Sequence, residues 1–388
     1  MKHAAQRVAS IMNETQIRRN SVIETLRLMA MYAIVLHHYC MHGGVSSTPG
    51  MSSSTLTIAA GASFGRWGVD VFVLIAGYFL TAQFTMAQMV RHAVKFCVQV
   101  WTISILCLLF AMIFSGSPVG ARDILASCLP LGYDVWWFAT AYFVLLVLSP
   151  FINILLFSLS KSQHAELVAI MLLFWSALST ILPASNFAYS KLSLFVMLYL
   201  IASYIRRYVE AKDPGKWAKA CACLLLLLPV SSMSIQALSG RFAVLAGKQL
   251  HFASEQSPLT IAAAVATLMV ALSLKPRYSA AVNLISTGSF GIYLFSDHPL
   301  IEPILWGNLI HTRTQFSSAA LPALMLASSF AVFLAALAVE MLRQVMIQRP
   351  LMLLIESTLY KSNLMNRCAS GALQLLQRLQ DLLAGETR

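Results

Sequence analysis

Seven residues carry the chemistry this sequence could perform. Glu24, Arg27 and His38 lie in IETLRLMAMYAIVLHHYC (23–40), Asp70 in GVDVFVLIAGYF, Arg91 in MVRHAVKF, and Asp297 and His298 in SFGIYLFSDHPLI. Each sits in or beside an apolar run. An ionisable group in hydrocarbon is costly unless paired or facing a wet cavity, so such groups are functional candidates by default. At about 100° per residue, the eleven steps from Arg27 to His38 return to within roughly 20° of one helix face. Glu24 lies about 60° away on that face, whereas His37 is turned about 80° from His38 and reads as a packing residue. Glu24, Arg27 and His38 can therefore line one cavity, with His38 about 16 Å further along the helix than Arg27.

The residue types define the chemistry. A neutral histidine beside a carboxylate can take a proton from a hydroxyl, because the acid fixes its tautomer and steadies the imidazolium. An arginine suits a phosphorylated group through forked hydrogen bonds and charge. Arg91, with Lys95, adds positive charge at the same rim. No metal site is expected: His37 and His38 are adjacent rather than four apart, and the seven cysteines form no cluster. A Gly-rich phosphate loop and a GxSxG elbow are both missing.

The elements that must position these groups follow from composition. Of 388 residues, 58% are hydrophobic and only 11% charged, and the mean hydropathy is +0.72. A soluble domain could not hide that much apolar surface, so the expected class is an all-α polytopic membrane protein. Apolar runs near 22–42, 66–85, 94–114, 137–158, 166–183, 191–206, 217–238, 257–274, 282–304 and 319–342 give about ten transmembrane helices. The net charge of +12 lies in short loops, which argues topology rather than nucleic acid. Twenty of the 27 Lys and Arg fall on the side of the termini and six on the other, with Arg27 inside the first span. That split predicts both termini in the cytoplasm. No cleavable signal peptide is expected.

The expected organisation is a cytoplasmic segment at 1–21, a ten-helix domain at 22–343, and a tail at 344–388 whose ALQLLQRLQDLLA spaces leucines as an interfacial helix. The loop SSTPGMSSST (46–55) reads as a flexible outer linker. Cys40 and Cys128 are the pair that could meet outside. Measuring depth from span midpoints puts His38, Asp70, Asp297 and His298 at one level, about 7 to 9 Å outward of the bilayer centre. Asp70 is accordingly the expected partner of His38.

On these residues the chain resembles the integral-membrane acyltransferase family 3, bacterial O-acyltransferases that modify cell-surface polysaccharides. RNSVIETLRLMAMYAIVLHHY resembles the family's opening acid followed by an Arg-X10-His pair, here Glu24, Arg27 and His38. GRWGVDVFVLIAGYFLT resembles its second-helix motif, with Ala76 in place of the usual serine. MVRHAVKFCVQVW resembles the basic entry to the third helix. SFGIYLFSDHPLIEPILW resembles a segment near the carboxyl end, where Ser296 stands for a common histidine and Glu302 for a common basic residue. The resemblance implies a cytoplasmic acyl-CoA, usually acetyl-CoA, as co-substrate, no permanently bound cofactor, and a cell-surface glycan or lipid-linked sugar as acceptor. It implies a multi-pass protein of the cell membrane. The alternative reading is a secondary transporter or flippase with a mid-membrane polar site.

Overall fold

The computed structural model describes residues 19–42, 50–81, 86–116 and 118–361. Among them every regular element is helical. In chain order these are α1 (Ser21–His42), α2 (Ser53–Leu80), α3 (Met86–Phe114), the short α4 (Ala121–Cys128), α5 (Trp137–Ser158) and α6 (Lys161–Met171, continued by a π turn to Ile181). There follow α7 (Lys191–Tyr208), α8 (Pro214–Ser239), α9 (Pro258–Ser273), α10 (Ala280–Ser286), α11 (Ser289–Ser296), α12 (Leu321–Arg343) and α13 (Arg349–Lys361). Six of the described helices are long and apolar enough to cross a membrane by length and composition: Ser53–Leu80, Gln88–Phe114, Trp137–Ser158, Lys161–Ile181, Pro214–Ser239 and Leu321–Ser357. The protein is thus a multi-pass membrane protein, and each run expected from the sequence coincides at least partly with a helix. The leucine-rich stretch after residue 361 lies outside the described residues.

Two boundaries differ from expectation. The second helix begins at Ser53, because Ser52 and Thr55 form a capping box in which Ser52 Oγ accepts from Thr55 N at 3.1 Å and Thr55 Oγ1 accepts from Ser52 N at 2.9 Å. Its first turns, SSTLTIAAGAS, are too weakly apolar for hydropathy to mark them. The ninth run is instead two helices separated at Thr287–Gly288. The second ends at Ser296, two residues short of the His298–Pro299 bond, which disfavours helix at His298. Asp297 and His298 therefore sit on irregular chain past a helix end.

The most buried of the long helices is α2. Van der Waals packing drives helix association in lipid, and small residues let backbones approach. Along the seam with α1, a Cβ at Gly65 would overlap the His37 side chain, one at Gly68 would reach the Ala30 carbonyl oxygen, and one at Gly61 would come within 2.9 Å of Cys40 Sγ. Cys40 and Cys128 are both free thiols, the former buried against Met325. The start of α1 is tied to α10: Ser21 Oγ donates to Asn283 Oδ1 at 2.9 Å and accepts from Ser279 N at 2.7 Å.

At the opposite end of α12, Glu340 and Arg343 form a fully buried ion pair. Arg343 Nε donates to Glu340 Oε2 at 2.6 Å, Arg343 also donates to Thr102 Oγ1 on α3 at 2.8 Å, and Gln99 donates to Glu340 at 2.9 Å. Every charge there has hydrogen-bonded partners, as burial requires.

Candidate active site

Three segments converge at the C-terminal end of α1: its last turns, the chain just past α11, and the start of α5. His38 is buried, with Nδ1 3.1 Å from Ser296 Oγ and Nε2 3.4 Å from Asp297 Oδ1. Ser296 Oγ is also 3.3 Å from the Tyr293 carbonyl, to which it can donate while accepting from His38 Nδ1 in the tautomer protonated there. In that base-competent tautomer the Nε2 lone pair lies on the side of the carboxylate. Asp297 Oδ1 also lies 2.9 Å from His42 Nε2, while His42 Nδ1 is 2.9 Å from Glu302 Oε1. His38 and His42 are four residues apart and share a helix face.

His298 is buried beside this cluster. Its Nδ1 accepts from Leu300 N at 3.1 Å, which places the ring proton on Nε2, where it has no hydrogen-bond partner. Its ring stands edge-on to Trp136, centroids 5.0 Å apart, and the Trp136 indole N–H is likewise buried without a partner. Two neutral donors are thus left unmade next to a histidine–carboxylate pair. Buried donors rarely go unpaired without a reason.

Asp70 is not the partner of His38. Both its carboxylate oxygens are buried and make no hydrogen bond. The antiparallel seam, with Gly65 facing His37 and Gly68 facing Ala30, puts Asp70 level with about Met31. That is about 10 Å from His38 toward Arg27. Because α2 starts thirteen residues before its apolar run, its midpoint lies earlier in the chain and Asp70 sits closer to the Arg27 end than the run alone implies. Arg66, one turn earlier, turns to Glu255 (3.2 Å), which Lys191 also contacts. Burial alone would raise the Glu255 carboxyl, but Arg66 and Lys191 outweigh it and hold it down at about 2.

At the other end of α1, Glu24 is held between Arg19 (3.7 Å) and Arg27 (3.3 Å). The alignment leaves Arg27 Nε and Glu24 Oε2 buried without hydrogen bonds. The Arg27 guanidinium lies 5.7 Å from the Phe72 ring centre. Arg91 is exposed and bonded to Glu356 at 2.9 Å. Between Arg27 and His38 runs a file of rings: Phe72 to Phe290 at 6.4 Å, Phe290 to Tyr293 at 5.9 Å, and Tyr293 to His38 at 5.9 Å. His37 turns away, its Nδ1 2.7 Å from the Ala62 carbonyl oxygen.

His42, Ser296 and Trp136 are members of the site beyond those expected from the sequence. The His38–His42 spacing was the available signal, obscured by the adjacent His37.

Fold and site together define a multi-pass helical protein with a histidine–carboxylate centre between its helices and an arginine–glutamate pair at the far end of the same helix. A family model described as an acyltransferase domain matches residues 20–341, and the chain belongs to that family, acyltransferase family 3. No curated protein and no solved structure matches it.

Proposed function

We propose that this membrane acyltransferase moves an acyl group, acetyl in the first instance, from cytoplasmic acyl-CoA to a hydroxyl of a cell-surface glycan or lipid-linked sugar, in the plasma membrane. The observation that carries this reading is the His38 ring, fixed at Nδ1 by Ser296 and open at Nε2 beside Asp297. Nε2 takes the proton from the acceptor hydroxyl as its oxygen attacks the thioester carbonyl. Asp297 stabilises the imidazolium, and the proton then passes to the departing CoA sulfur. The unpaired N–H groups of His298 and Trp136 suit the carbonyl oxygen as negative charge develops on it.

Arg27 carries an unfilled donor, which suits a CoA phosphate at the cytoplasmic end. Glu24 holds its guanidinium, and Arg91 extends the positive rim. The file of aromatic rings would line the path of the acyl arm from Arg27 to His38.

Membranes supplied with labelled acetyl-CoA test the reading. Label is expected in a surface glycan fraction with the native protein and reduced about 10²-fold or more with His38→Ala, while His37→Ala loses far less. Equal, small losses in both variants would remove His38 from the mechanism. Sugar movement without any acyl-CoA requirement would favour a transporter.

A further inference from the structure

Three potential ligand atoms converge beside the proposed base. His38 Nε2, His42 Nε2 and Asp297 Oδ1 lie within 4.8 Å of one another. The two ring nitrogens are 3.4 and 2.9 Å from the same carboxylate oxygen. The far nitrogen of each ring is engaged elsewhere, His38 Nδ1 with Ser296 Oγ and His42 Nδ1 with Glu302 Oε1. An ionised carboxylate only accepts, so Glu302 places a proton on His42 Nδ1, and Asp297 draws one to His42 Nε2 that a metal ion would displace. The cluster thus holds either the proton between His42 and Asp297 or, in its place, a metal ion bound by the same three atoms.

We propose that this cluster binds a divalent transition-metal ion of the zinc class through His38, His42 and Asp297, and that the bound ion blocks acyl transfer by occupying the Nε2 lone pair of His38. The inhibition rests on the proposed role of His38 as base; the binding does not. Zinc holds nitrogen and oxygen ligands at about 2.0–2.2 Å, so tetrahedral ligand atoms stand about 3.3–3.6 Å apart. The His38–Asp297 separation of 3.4 Å matches that spacing, and the His42–Asp297 separation of 2.9 Å is the hydrogen bond that metal binding would lengthen. Three protein ligands leave a fourth position for solvent. Glu302 and Ser296 occupy the places of the outer hydrogen-bond partners that orient metal-binding histidines. The side chains of His42 and Asp297 are 23% and 17% exposed against 7% for His38, so an ion can enter from the His42 edge. The adjacent pair weighed in the sequence, His37 and His38, is not the relevant one. The pair on one face is His38 and His42.

The test uses the purified full-length protein in detergent, stripped with a chelator. Zn²⁺ binding is measured by equilibrium dialysis, Co²⁺ binding by its visible absorption, and acyl transfer is assayed across the same Zn²⁺ series. One ion per chain, tetrahedral Co²⁺ bands, and inhibition that tracks occupancy and reverses with chelator are expected. His42→Ala and Asp297→Asn should each weaken binding 100-fold or more, and Glu302→Gln about 10-fold. His251→Ala, whose ring packs on Phe252 and makes no contact with these ligands, should not change it. If the ligand variants lose their folded elution profile, Glu302→Gln carries the comparison. Absence of saturable Zn²⁺ binding, or binding undiminished by all three variants, overturns the site. Stoichiometric binding that these variants lose, with transfer untouched, keeps the site and overturns both the inhibition and the base role of His38.

Discussion

Asp297→Asn keeps the shape of the side chain and removes the charge that faces His38. At the observed 3.4 Å and an effective dielectric of about 20, a carboxylate stabilises an imidazolium by about 5 kcal/mol. His42 shares that carboxylate at 2.9 Å, and Asp297 keeps some solvent contact. Roughly half of the attraction is therefore specific to the transferring state, about 3 kcal/mol, or on the order of 10²-fold in turnover. The assay is transfer of labelled acetyl from acetyl-CoA, with turnover and KM measured separately. A fall in turnover at unchanged acyl-CoA KM is expected, since the group acts in the chemical step and not in donor binding. Little further loss should follow when Asp297→Asn is added to His38→Ala, because both act in one step. Asp70→Asn, about 10 Å away, should cost less and should combine multiplicatively with Asp297→Asn. Turnover within about threefold of native in Asp297→Asn, with the protein folded, would refute the reasoning; so would a full additional loss on the His38→Ala background.

Arg27→Ala should weaken acyl-CoA binding from the cytoplasmic side, and Arg27→Lys should restore it only in part because lysine lacks the planar fork. Native affinity in Arg27→Ala would leave Arg27 as the partner of Glu24 alone. Glu255 provides an acid-stability prediction. Its carboxyl is held at about 2 against an ordinary 4.5, so its contribution is complete above pH 4.5 and is lost as the pH falls toward 2. The contribution is about 3 kcal/mol. Thermal unfolding in detergent between pH 7 and 3 should show a steeper acid loss in the native protein than in Glu255→Gln, and equal slopes would remove Glu255 as the cause.

How much of this could be read from the sequence depended on which periodicity carried the information. Helix positions followed from apolar run length, and the shared face of Arg27 and His38 followed from helical geometry, which α1 obeys as one continuous helix. Depth across helices did not. It needed the start of α2, set by the Ser52–Thr55 capping box rather than by hydropathy, and an error there moved Asp70 away from His38. Asp297 was legible as an acid near the right level. Its contact with His38 was not, because a helix end followed by His298–Pro299 swings that chain toward α1, and no pattern in the residues reports such a turn. His42 was hidden by position: it falls in the last turn of α1, where a histidine reads as an interfacial residue.

The buried pair of Glu340 and Arg343 has a consequence for biogenesis. Released alone into lipid, the end of α12 would keep its two charges paired with each other and with Gln344 and Gln348, but would lack the partners that α3 supplies. The remaining donors and acceptors of the pair are completed by Thr102 and Gln99, which the ribosome delivers more than two hundred residues earlier. The last long helix therefore closes an assembly that α3 has held open, and chains lacking those two side chains should stall at the final insertion step and be exposed to membrane proteases there.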